Sequence, residues 1–217
     1  MKIQDEATLA NHLALALQQQ DGPPVEHVQT HLSHLLLTPG HAYKLKRPVR
    51  LPFADFSTVA ARRHFCEEEL RLNRRLAPSL YLEVLPVLGS VQAPRLGAPN
   101  EGADSAIDWV VHMHRFASGS EADALVRNGA LQAAEVDSFA KQLAHFHAAC
   151  PVAAAGSAWG SAALVQQAID DVFNTLATLL DDADAPRLQA LRPAFAGLQR
   201  WWAQRQADGH VREGHGD

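Results

Sequence analysis

Apolar residues recur at helical spacing near the start of the chain: Leu9, Leu13 and Leu17, with Ala10 and Ala14 beside them, until Gly22-Pro23-Pro24 stops the run. The spacing predicts a short amphipathic helix. From Val25 the period changes. VEHVQTHL alternates loosely, LSHLLLT is an apolar run too short for a helix, and Pro39-Gly40 turns into HAYKLKRPV, which alternates again, so three successive strands are expected. Ser57-Thr58 is a good N-cap pair and opens VAARRHFCEEELRLNRRL, a long charged helix in which Phe65, Leu72 and Leu76 lie along one side and Glu69 interrupts the stripe. YLEVLPVLGSVQ and AIDWVVHMHRF are β-rich and flank a Pro/Gly/Asn-rich connection. Beyond Phe116 the strand pattern almost vanishes, and LQAAEVDSFAKQLAHFHAA, SAALVQQAIDDVFNTLATLL and APRLQALRPAFAGLQRWWAQRQ read as helices. Strands followed by helices predict an α+β protein, divided into 1–116 and 117–217.

Composition narrows the function classes. A formal charge of −5 argues against a sequence-independent nucleic-acid surface, which needs a basic excess. No window reaches the roughly 18 apolar residues of a membrane span, and Asp5 and Glu6 break any leader pattern, so a cytoplasmic protein is expected. Cys66 and Cys150 lie far apart, which speaks against a disulfide framework.

Three groups of residues carry candidate chemistry. In HAYKLKR, Lys44 and Lys46 are two apart on a predicted strand, so both ammonium groups project from one face; a solvated edge strand guarded by lysines has the same pattern. In the long helix, Glu67, Glu68 and Glu69 point in different directions, because only residues three or four apart share a face; they cannot form one metal site unaided. The two H-x-H pairs, His112/His114 and His145/His147, lack a third ligand at metal-site spacing. No G-x-G-x-x-G or Walker sequence is present. In the first hairpin Thr30 and Ser33 offer hydroxyls and backbone amides that a phosphate could use instead, and a plain hairpin fits equally well.

Taken in order, these features resemble the aminoglycoside phosphotransferase family: Ala42-Tyr43-Lys44 on a strand, a Glu about 25 residues on, a short polar crossover at Met113-His114-Arg115-Phe116, a helical lobe, and His215-Gly216-Asp217. More narrowly, the block from Tyr43 to Leu82 is similar to the N-terminal domain of bifunctional aminoglycoside phosphotransferase/ATP-binding proteins. The resemblance implies a protein-kinase-like fold: an antiparallel-sheet N-lobe with a long helix, then a mainly helical C-lobe. It implies ATP and Mg²⁺ as cofactors and a small-molecule hydroxyl as acceptor, with a P-loop kinase-like domain downstream. It places the phosphate-binding lysine on Lys44, with Lys46 as the alternative, and the lysine's partner on Glu69. Ser33 would lie near the phosphates, Met113, His114 and Arg115 would face the adenine, and Asp217, organised by His215, would orient the attacking hydroxyl.

The family's loop continues past the Asp to a metal-binding Asn and a later Asp. Neither follows Asp217, so no metal ligand is assigned here, and the chain by itself is expected to have little phosphotransferase activity. Two readings therefore stand beside each other: a phosphotransferase domain, and a non-catalytic nucleotide- or partner-binding module of the same build.

Overall fold

The computed structural model describes residues 3–22, 24–51, 54–154, 156–181 and 183–214. It is an α+β structure in two compact units, one running to Gln132 and the other covering Ala133–Gly214. The catalytic-loop candidates His215 and Asp217 lie outside the described residues.

The first unit opens with α1 (Ile3–Asp21), which ends where Gly22 turns left-handed at φ 89°. The expected strands follow as β1 (Glu26–Gln29), β2 (Ser33–Leu37) and β3 (His41–Lys46), then a small hairpin of β4 (Arg50–Leu51) and β5 (Ala54–Asp55). Thr58 caps α2 (Val59–Asn73), its hydroxyl accepting from the Ala61 amide at 3.1 Å. The connection from β6 (Tyr81–Gly89) to β8 (Asp108–His114) is more structured than its turn-rich sequence predicts, because Pro94–Leu96 adds an edge strand, β7, to β6. A short helix, α3 (Ala122–Arg127), clusters with this unit, so the compact region extends past the expected dividing line at residue 117.

Six of these strands form one sheet in the order β1-β2-β3-β8-β6-β7, antiparallel at every pairing. Alternation along each strand divides the core between the two faces. On one face Leu36, Tyr43, Leu45, Leu85, Val87 and Val110 pack beneath the apolar stripe Leu9, Leu13 and Leu17 of α1. On the other, Ala42, Trp109, Val111 and Met113 surround Cys66 of α2. Lys44 and Lys46 alternate with the α1-facing residues and therefore project on the α2 side.

The second unit holds α4 (Ala133–Ala149), α5 (Ala162–Leu179), α6 (Ala185–Ala196) and α7 (Gln199–Ala207). The last two were expected as a single helix; Gly197 and Leu198 separate them. Phe173 is buried, with Phe195 edge-on to it and the Arg192 guanidinium 4.9 Å from its ring centre. Near the end of the described residues Arg212 forms an antiparallel bridge with Val152.

Candidate functional site

The strand lysines and the helix glutamate meet. Lys44 Nζ donates to Glu69 Oε1 at 2.8 Å, and Lys46 Nζ donates to Glu69 Oε2 at 2.6 Å, so one carboxylate holds two ammonium groups. The strand period places both lysines on one face, and α2 crossing that face places Glu69 between them. The three side chains differ in access: Lys44 is 31% exposed, Glu69 11% and Lys46 7%. Lys46 is also held over the Phe56 ring, 5.1 Å from its centre. Burial pushes the Glu69 carboxyl up, but the charges of Lys46 and Lys44 and their hydrogen bonds outweigh it and hold the group below the usual carboxylate range.

The neighbouring glutamates behave as the helical period requires. Glu67 pairs with Arg63 and Glu68, at the rim of the cavity beside the two lysines, with Arg71, both at 2.8 Å. The predicted stripe on α2 has a more specific meaning than core packing: Phe65, Glu69 and Leu72 line this cavity, of about 280 Å³, together with Ser33, Lys44 and Lys46. The face packed into the core is turned one step around the helix and runs through Arg62 and Cys66.

Ser33 stands directly opposite Lys46 in the β2–β3 pairing. Its backbone is already engaged, since the Ser33 amide donates to Thr30 Oγ1 at 2.9 Å and the Ser33 carbonyl accepts from the Thr30 amide at 2.8 Å. The Leu32 amide also reaches Thr30 Oγ1, at 3.3 Å, and Arg47 Nη1 donates to the Thr30 carbonyl at 3.2 Å. The β1–β2 turn is therefore tied to itself and to β3, and the Leu32 and Ser33 amides do not point freely at a ligand.

Met113, His114 and Arg115 line a second cavity, of about 300 Å³, with Val28, Leu35 and Ala42 on the sheet side and Phe116 beyond the strand. The His114 amide donates to the Leu80 carbonyl and the Arg115 amide to the Gly40 carbonyl, each at 2.9 Å. The Arg115 guanidinium spans to Glu26 at 2.7 Å and to the Thr38 carbonyl at 3.3 Å, tying the segment after β8 to β1 and to the β2–β3 turn. The two cavities flank the same face of β3, with Ala42 at one and Lys44 and Lys46 at the other.

Two arrangements next to the site escaped the sequence reading. Arg62 and Asp108 are both 0% exposed, with Arg62 Nε 2.8 Å and 3.1 Å from the two carboxylate oxygens. Arg62 Nη1 donates to the Phe56 carbonyl at 3.0 Å, while Arg62 Nη2 is buried with no hydrogen-bond partner. Burial pushes the Asp108 carboxyl up, against the pull of Arg62. The usable signal was an Asp at the head of the apolar run IDWVV, a place for a charge only if it has a buried partner. On the opposite face His112 is bonded to His41, 2.9 Å apart, and to Glu83 Oε1 at 3.1 Å, and its ring stacks on Tyr43 at 4.8 Å between centroids. Burial lowers the His112 pKa, with the neighbouring His41 adding to the effect against Glu83. Among the described residues no group of three or more His, Cys, Asp or Glu side chains is arranged to hold a metal.

No family model matches the chain, and no solved structure does. Over 127 residues, 58% of the chain, it is 31% identical to uncharacterized proteins of Mycobacterium bovis and Mycobacterium tuberculosis. These relatives are much longer, and the match spans 23% of their length. No helix among the described residues is long and apolar enough to cross a membrane.

Proposed function

We propose that the chain carries the nucleotide-binding lobe of an ATP-dependent, kinase-like phosphotransferase acting on a hydroxyl of a small molecule in the cytoplasm. The observation that carries this reading is the Lys44–Glu69 pair at 2.8 Å, joining an inner strand to the helix beside it over a cavity. In phosphoryl transfer the protein contributes chiefly alignment and charge neutralisation, and a strand lysine fixed by a helix glutamate is the kinase device for holding the α- and β-phosphates. The order of the parts fits as well. The cavity lined by Ala42 and by Met113, His114 and Arg115 would take the adenine, and the cavity at Lys44, Lys46 and Ser33 the phosphates. The His114 and Arg115 amides already donate within the fold, which leaves base contacts to carbonyl groups and to Phe116.

Chemically, the acceptor oxygen would attack the γ-phosphorus, the bond to the ADP oxygen would break, and the hydroxyl proton would pass to Asp217, organised by His215. Mg²⁺ would neutralise the phosphate charge; the described residues provide no set of acidic ligands for it. The acceptor and a downstream P-loop kinase-like domain belong to this proposal.

One observation favours a second reading, a module that binds nucleotide without turning it over. The β1–β2 turn has no glycine, and its Leu32 and Ser33 amides are bonded to Thr30. Thermal denaturation with and without Mg-ATP tests both readings. At about a hundredfold excess over Kd a ligand of the folded state adds about 2.7 kcal/mol. The shift is expected in the wild type and in the surface control Arg187→Ala, and is expected to shrink clearly in Lys44→Ala. No shift with any nucleotide in the wild type overturns both readings, and γ-phosphate transfer to an acceptor or water separates the first from the second.

A further inference from the structure

We propose that Lys46 is a positioning residue that keeps Glu69 paired, so that Lys44 is free to leave the carboxylate and follow an anionic ligand; this rests on the phosphate-cavity reading above. The two lysines are chemically alike and share one partner, yet their surroundings assign them different work. Lys46 is almost fully buried, directly opposite Ser33, donates to Glu69 Oε2 at 2.6 Å, and sits over the Phe56 ring. Lys44 is the more accessible one, holds the other oxygen, Oε1, at 2.8 Å, and lies opposite Leu35, which offers no polar side chain.

A site with one lysine faces a conflict. If the ammonium turns toward a phosphate, the buried carboxylate behind it loses its counter-charge, and an uncompensated buried charge is strongly unfavourable. Here the carboxylate has a second, better-buried cation on its other oxygen. Lys44 can then exchange Glu69 Oε1 for a phosphate oxygen while Glu69 stays neutralised by Lys46. Glu68, which also lines the cavity, is paired with Arg71, so Lys44, Lys46 and Glu69 leave one net positive charge there and the cavity attracts an anion even with the ion pairs formed. The closed β1–β2 turn makes this more important, because the Leu32 and Ser33 amides are bonded to Thr30 and the ammonium groups are left to meet the phosphate charge.

A double-mutant cycle distinguishes a positioning role from a direct contact. The affinities of ADP and inorganic pyrophosphate are measured by calorimetry on the 217-residue chain, with folding of every variant verified by circular dichroism. Lys44→Met should lose about tenfold or more, in line with loss of a charge-assisted contact. Lys46→Met should also weaken binding, by about tenfold, because Lys44 is then held back by Glu69. In a Glu69→Gln background the same Lys46→Met change should cost less than about twofold, since no carboxylate remains to hold Lys44. Lys46→Arg, which keeps the cation beside Glu69, should restore most of the affinity, and Lys46→Gln takes the place of Lys46→Met, in both backgrounds, if that variant does not fold. Equal losses from Lys46→Met in the wild-type and the Glu69→Gln backgrounds overturn the inference, because Lys46 would then touch the anion itself. Wild-type affinity in Lys44→Met overturns it too. Absence of ADP and pyrophosphate binding in the wild type overturns the underlying reading and the inference with it.

Discussion

Replacing Asp108 by Ala should destabilise the first unit more than any exposed ion-pair deletion in this protein. Both members of the Arg62–Asp108 pair are 0% exposed, and the carboxylate accepts from Arg62 Nε at 2.8 Å and from the Trp109 amide at 2.9 Å. Without it the guanidinium keeps the Phe56 carbonyl, and Nη2 already has no partner, so a buried cation is left with one hydrogen bond. Breaking a buried pair from one side costs about 3–5 kcal/mol, against total stabilities of about 5–15 kcal/mol. With a urea dependence of about 2 kcal/mol per molar, the midpoint should fall by roughly 1.5–2.5 M. The assay is urea denaturation followed by Trp109 fluorescence, with Trp159, Trp201 and Trp202 replaced by Phe so that the signal comes from the affected unit. The paired change Arg62→Met with Asp108→Leu should be close to neutral. Burial already pushes the Asp108 carboxyl up, so the ion pair is tolerated by the core more than it stabilises it. A loss below about 1 kcal/mol in Asp108→Ala, or a double variant as unstable as the single one, would refute the reasoning.

Glu69→Gln removes the partner of a nearly buried lysine, and a loss of about 1–3 kcal/mol is expected by urea denaturation. Because the Glu69 carboxyl is held below its usual range, its contribution is present above the unfolded carboxylate pKa and is lost as pH falls through the folded value. The acid limb of the stability profile should therefore flatten in Glu69→Gln. The lowered His112 pKa has its effect at higher pH. The folded state favours the neutral ring, so stability is full above the unfolded histidine value of about 6.5 and declines as pH drops below it; His112→Gln should reduce that slope in thermal midpoints taken across the range. Gly160 has φ +64°, and an added Cβ would lie 2.5 Å from Val211 Cγ1, so Gly160→Ala should lower the melting temperature of the second unit, by about 1–3 kcal/mol of stability.

The first half of the chain was legible because its periods are clean. The alternation in HAYKLKR fixed the common face of Lys44 and Lys46, and the helical period separated Glu69 from Glu67 and Glu68. What could not be read is where one element's residues meet another's. Phe65 and Leu72 mark the apolar side of the helix and line the cavity, while the stripe through Arg62 and Cys66 is the one turned inward. An arginine in the core cannot be distinguished by pattern from its solvated neighbours Arg63 and Arg71; only its distant partner Asp108 reveals it. The edge strand β7 was hidden for a related reason, since three residues that pair with β6 carry no period of their own. In the second half, the weak apolar periodicity of QALRPAFAGLQRWW did not locate the break at Gly197, where the backbone stays in the helical region.

On α2, Glu69 stands where the cavity-lining stripe adjoins the core-facing stripe of Arg62 and Cys66, so the glutamate that meets the lysines is carried close beside the pinned guanidinium on one rigid helix. A helix that carries one half of an ion pair can act as a switch by swinging out and breaking that pair. Here any such swing would draw Arg62 from Asp108. At a cost of about 3 kcal/mol or more, a swung-out helix would be populated below about one molecule in a hundred. The helix is a bolt and not a lever, and control of this cavity has to act through what enters it or through Lys44.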